Sequence, residues 1–120
     1  MLVFFYNCDR MVGVKARLIF KVRDSVALKF GGRLTVNMDL YQISDEHLGF
    51  ERAYTFSWIA FNPKDPDNRV LMDQHSEKPC HLHLDGLEIN LDPSPLNLDE
   101  AIKIFWNEVR KHFGELLEAP

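Results

Sequence analysis

The sequence predicts an α+β domain: a mostly antiparallel sheet of about six to seven strands, with one long C-terminal helix packed on one face. Three observations carry this prediction. Apolar and polar residues alternate through much of the chain before residue 92, the period of half-buried strands. Gly31-Gly32 and Asp85-Gly86 place two-residue turn signals between such runs. After "DPSP" (92–95) the apolar period changes to that of a helix and stays there.

The elements follow in order. Residues 1–13 form an N-terminal extension or an edge strand through the apolar stretch "LVFFY". In "VKARLIFKVR" (14–23), Val14, Ala16, Leu18, Phe20 and Val22 share one face. Lys15, Arg17, Lys21 and Arg23 share the other, interrupted by Ile19. "VALKF" and "RLTVNMDLYQI" make a hairpin about Gly31-Gly32, its second arm sending Leu34, Val36, Met38 and Leu40 inward. "AYTFSWIAF" (53–61) is a strand by its aromatic and β-branched content, "NPKDPDN" (62–68) a loop, and "RVLMDQH" a strand. "SEKP" connects to "CHLHL", and Asp85-Gly86 turns that strand back into "LEINL". The final helix (97–118) is capped by Asn97 with Glu100 three residues on. It carries Ile102, Phe105, Trp106, Val109, Phe113, Leu116 and Leu117 as one stripe.

Composition narrows the function classes. At 120 residues and 46% hydrophobic, the chain reads as one domain with a packed core. Cys8 and Cys80 form no paired motif, which suggests free thiols in a reducing compartment. The opening apolar run is too short for a signal-peptide core or a membrane span, so the expected location is cytoplasmic, with no membrane partner. The net charge of −4 is unevenly spread: residues 1–34 carry seven Lys/Arg against two Asp, and the remainder seven against sixteen Asp/Glu. A cationic face for phosphate is therefore compatible with an acidic chain.

The Asp85-Gly86 turn sets a register. Leu84 pairs with Leu87, His83 with Glu88, Leu82 with Ile89, and His81 with Asn90. Cys80, Leu82, Leu84, Leu87, Ile89 and Leu91 then face the core, while His81, His83, Glu88 and Asn90 form a polar patch on the opposite face. Three chemistries fit the patch. It is a solvated surface, or a metal site with Glu88 or Asp73 as third ligand beside the two histidines. Or it is an acid–base site, in which one neutral and one protonated imidazole cleave RNA without metal. Asp73 and His75 join the patch or miss it according to a register that "SEKP" leaves open.

The stretch "LMDQHSEKPCHLHLDGLE" resembles the hallmark of the TumE family of small toxins from prokaryotic toxin–antitoxin pairs. Asp73 stands eight residues before His81, Lys78 lies in the link, and His83, Gly86 and Glu88 follow at the family's positions. "KARLIFKVRDS", "AYTFSWIAF" and "LNLDEAIKIFWNEVRKHF" are similar to the family's first strand, central strand and C-terminal helix, so the likeness covers about residues 14–113. Gln74 stands where the family has Asn, Met72 where it has an aromatic residue, and the link has Pro79 and no glycine. The resemblance implies a cytoplasmic toxin with a helix-turn-helix antitoxin partner, acting on RNA. The expected site has His81 and His83 as the acid–base pair, Glu88 and Asp73 as orienting carboxylates, and Lys78, Arg17 or Lys15 on phosphate. No cofactor is expected, with a divalent metal at His81 and His83 as the open alternative. A protein-docking module for an antitoxin, without catalysis, is the rival from a different class, and a homodimer is compatible with either.

Overall fold

The computed structural model describes the backbone of residues 2–7, 10–75 and 78–118, with side chains from residue 16 onward apart from Pro79. Cys8, one of the two expected thiols, lies outside the described residues. Strands β1 (Leu2–Asn7) and β2 (Arg10–Lys15) pair antiparallel in a two-stranded sheet of their own, rather than adding an edge to the main sheet. The main sheet is a six-stranded antiparallel meander in chain order: β3 (Arg17–Ala27), β4 (Arg33–Gln42), β5 (Tyr54–Asn62), β6 (Asp65–His75), β7 (Lys78–Leu84) and β8 (Leu87–Asn90). A 3-10 turn (Glu46–Leu48) and the one-turn helix α1 (Phe50–Ala53) fill the connection from β4 to β5. Helix α2 (Leu98–Phe113) covers one face of the sheet. No helix among the described residues is long and apolar enough to cross a membrane.

The core forms where the alternating strands meet the helical stripe. Leu34, Val36, Met38 and Leu40 of β4, Phe56, Trp58 and Ala60 of β5, Val70 and Met72 of β6, and Cys80 and Leu82 of β7 are buried against Ala101, Phe105 and Val109 of α2. Trp58 is the centre. Phe56 stacks on it at 4.0 Å, the edge of Phe105 meets it at 5.9 Å, and its indole N–H donates to the Asp39 carbonyl at 3.1 Å. Burying an aromatic or aliphatic side chain of this kind contributes roughly 1.5–3 kcal/mol each. Gln74 also points into this layer. Its amide donates to the carbonyls of Phe50 (3.1 Å) and Tyr54 (2.9 Å), tying β6 to the α1 connection.

Several elements differ from the sequence reading. "VKARLIFKVR" and "VALKF" are not separate strands: Asp24 and Ser25 stay in the ladder opposite Val36 and Thr35, so β3 is continuous, as an edge strand with one solvated side permits. A bulge at Ile19 lets Leu18 pair with Tyr41 and Phe20 with Leu40, which reverses the facing of Arg17 and Leu18. Leu18, expected inside, is 40% exposed. In "NPKDPDN" only Pro63 and Lys64 turn. Asn62 pairs with Asp65, and residues 66–68 bulge out before Phe61 pairs with Arg69, so Pro66 is asked for no ladder N–H. Helix α2 stops at Phe113 because Gly114, at φ +100°, caps it through its N–H to the Arg110 carbonyl (2.8 Å). Leu116 then bridges Leu28, and the Leu117 N–H donates to the Ala27 carbonyl (2.9 Å), so the tail continues along the edge of β3 instead of the helix axis. Leu87 and Ile89 do take the helix side of β8, but α2 does not reach them and both are exposed.

Candidate functional site

The register inferred from the Asp85-Gly86 turn is the observed one: Leu84 opposite Leu87, His83 opposite Glu88, Leu82 opposite Ile89 and His81 opposite Asn90. Asp85 at φ +50° and Gly86 at φ +78° are the two left-handed positions that a tight hairpin turn of this hand requires. The structure also supplies the register that "SEKP" leaves open. Asp73 on β6 pairs with His81 on β7, and Leu71 with His83. One row of side chains therefore crosses the whole sheet on the face away from α2: Lys21, Asp39, Ser57, Asp73, His81 and Asn90. The neighbouring row ends with His83 and Glu88.

Two imidazoles and two carboxylates converge where these rows meet. His81 Nε2 is in direct contact with Asp73 Oδ1 and lies 3.4 Å from Glu88 Oε1. His83 Nε2 lies 3.8 Å from both Asp73 Oδ2 and Glu88 Oε1. The rings of His81 and His83 meet edge to face at 4.8 Å, and His75 packs its ring against the other side of His81 at 6.1 Å. Lys78 Nζ donates to Glu88 Oε1 at 3.0 Å. That hydrogen bond, more than the positive groups around it, holds the Glu88 carboxyl below its ordinary range against the opposing effect of desolvation.

The two histidines are not equivalent. His81 is 2% exposed, although it sits on the face without a helix, because His75, Asp73 and His83 enclose it. The side chain of His83 is 33% exposed and opens to solvent. Cys80, on the opposite face, is buried; desolvation, with the negative charge of Asp73 and Glu51 behind it, pushes its thiol up to about 12. It is an inert core residue, as its place in the alternation suggests.

The expected phosphate-binding cations are distributed differently. Lys78 stands at the cluster, tied to Glu88. Arg17 is carried by the Ile19 bulge onto the other side of the sheet, opposite Gln42, to whose side-chain oxygen it donates at 2.7 Å. Lys15 ends β2, and its side chain lies outside the described residues. Lys21 and Arg23 do face the site's side, but β3 lies four strands from β7, about 19 Å at ~4.8 Å per strand. Arg23 is already paired with Asp39 through two 3.0 Å hydrogen bonds.

Two features go beyond the sequence reading. In the sequence His75 is only a possible neighbour of the patch; in the fold it closes over His81. A groove of about 360 Å³ borders the cluster on its β5 side, lined by Asp39, Tyr41, Thr55, Ser57, Asp73 and His75 among others. The outward alternation of β4, β5 and β6 signals it, once their registers are known. The chain matches no family model, no curated protein and no solved structure.

Proposed function

We propose that this chain is an RNA-cleaving toxin of the TumE kind, partnered by a helix-turn-helix antitoxin, and that it transfers protons at the His83–Glu88–Asp73–His81 cluster. The carrying observation is the convergence of His83 Nε2 on two carboxylate oxygens at 3.8 Å, on a solvent-facing sheet surface with an enclosed second imidazole behind it. In this scheme Glu88, kept anionic by Lys78, accepts the proton of the 2′-hydroxyl as its oxygen attacks phosphorus. His83, protonated, gives its proton to the departing 5′-oxygen, leaving a 2′,3′-cyclic phosphate. His81 departs from the expected acid–base pair. Its enclosure suits a positioning residue that orients Asp73 and His83, rather than a group that meets substrate.

The first prediction tests this assignment. His83→Ala in the full chain removes the acid and reduces RNA cleavage by ~10²–10⁴-fold, the usual worth of one proton transfer. His81→Gln lowers the rate less and shifts the pH–rate profile, which a purely structural role would not do. Circular dichroism confirms that each variant is folded. Wild-type rates in His83→Ala sink the catalytic assignment. No cleavage by the wild-type chain in any buffer, with antitoxin binding retained, favours the docking module instead.

A further inference from the structure

We propose that Asp73, His81 and His83 form a binding site for one divalent transition-metal ion of the zinc class, and that the loaded ion and proton transfer by His83 exclude each other. One ligand atom from each of the three residues lies within 4.8 Å of the others. Two ligands on a tetrahedral ion with bonds of ~2.0–2.2 Å stand ~3.3–3.6 Å apart. The 3.8 Å between His83 Nε2 and Asp73 Oδ2 is therefore within a small side-chain rotation of a loaded site. The frame is rigid: Asp73 and His81 are register partners on adjacent strands, and His83 stands two residues along the same strand.

Burial adds to the geometry. Asp73 Oδ1 is buried against His81 Nε2, so an ion would take the place of a proton between two groups that already converge. The donor set selects the ion: two imidazole nitrogens and one carboxylate suit Zn²⁺, Fe²⁺, Co²⁺ or Ni²⁺, whereas Mg²⁺ and Ca²⁺ prefer oxygen alone. An enclosed imidazole such as His81 also makes a better fixed ligand than a proton carrier.

Glu88 decides the fourth position. Its Oε1 lies 3.4 and 3.8 Å from the two imidazole nitrogens, but Lys78 holds that same oxygen at 3.0 Å. Coordination through this oxygen competes with the Lys78 hydrogen bond, and the lysine's positive charge repels the ion, so Lys78 opposes loading. The ion takes the Nε2 lone pair of His83, so that nitrogen can neither accept nor donate a proton, and His83 no longer supplies the acid of the metal-free scheme. This last consequence rests on the proposed function; the metal site itself does not.

The test titrates the chelator-stripped full chain with Co²⁺. The expected result is one ion per chain, with the intense visible absorption of a tetrahedral site, displaced by Zn²⁺. Asp73→Asn and His83→Gln weaken binding by more than the ~10–100-fold that loss of an outer partner costs, and Lys78→Met tightens it. An absence of saturable binding at millimolar Co²⁺, or binding unchanged in both ligand variants, overturns the site. RNA cleavage separates the two proposals. Activity in the stripped protein that Zn²⁺ suppresses supports the exclusion, and Zn²⁺-dependent cleavage overturns it together with the metal-free scheme. Normal Co²⁺ spectra without cleavage in either state overturn the proposed function alone.

Discussion

At the scale of single residues, the alternation in "HLHLDGLEIN" states which side chains share a face but not how deeply each is covered. His81 and His83 carry the same pattern, yet one is enclosed and the other open, because the enclosure comes from His75 and Asp73 on a different strand. That inequality predicts different folding consequences. His81→Ala leaves the Asp73 carboxylate beside a void and costs on the order of 1–3 kcal/mol in chemical denaturation, whereas His83→Ala stays within about 0.5 kcal/mol. Equal effects in the two variants contradict the burial. Glu88 gives a pH prediction at the same scale. Its carboxyl titrates below the ordinary 4.5 because Lys78 donates to it. The folded value lies below the unfolded one, so the pair's contribution is present above the unfolded value and disappears as pH falls through the folded one. Lys78→Met raises the Glu88 midpoint toward 4.5, read by NMR of its side-chain carboxyl; an unmoved midpoint denies the pair. The pair is exposed, so its effect on stability is small.

At the scale of elements, local turn chemistry is legible where it needs only neighbouring residues, and illegible where it depends on an inserted one. Asp85-Gly86 announces both a turn and a register, and the site's face follows from it. Ile19 gives no comparable signal. A bulge adds one residue to an otherwise regular run, and the reversal it imposes on Arg17 becomes visible only against the partner strand β4. Gly114 is readable as a helix stop, yet the apolar stripe continuing through Leu116 and Leu117 masks it. Leu116 is indeed buried, but it gets there by pairing with Leu28 rather than by helical periodicity. The β7–β8 turn carries the element-scale prediction. A methyl group at Gly86 would meet open space, but the residue's φ is +78°, so Gly86→Ala costs only the backbone penalty of ~1–2 kcal/mol. Thermal denaturation shows the loss, while amide chemical shifts of His81 and His83 keep their cross-strand pattern. A collapse of that pattern means the turn, and not the rest of the ladder, holds the register.

At the scale of the whole molecule, the fold class follows from periodicity alone, because one period change near residue 92 separates sheet from helix. The distribution of charge over the sheet cannot be read the same way, since strand order decides which cations approach the histidines. The excess of positive charge before residue 35 suggests a phosphate-binding surface around the site. The meander instead puts β3 at the far edge of the sheet from β8, and it leaves Lys78 as the cation at the cluster among the described residues. Under the proposed function, RNA contacts on this face divide in two: a local one at Lys78 and a distant one at Lys21 and Arg23, reached only by a strand that crosses the groove beside Tyr41. Salt dependence separates them. Each phosphate neutralised on single-stranded nucleic acid contributes a slope of ~−0.7 to log K against log salt. A longer RNA should show a steeper slope than a dinucleotide, and Lys21→Ala with Arg23→Ala should bring the longer RNA's slope back toward the dinucleotide's. Dinucleotide cleavage is unchanged in that double variant, because neither side chain is within ~15 Å of His83 by strand spacing. Equal slopes for short and long RNA, or a double variant that leaves both slopes alone, would show that RNA does not cross this face, and would confine any substrate to the β6–β8 end of the sheet.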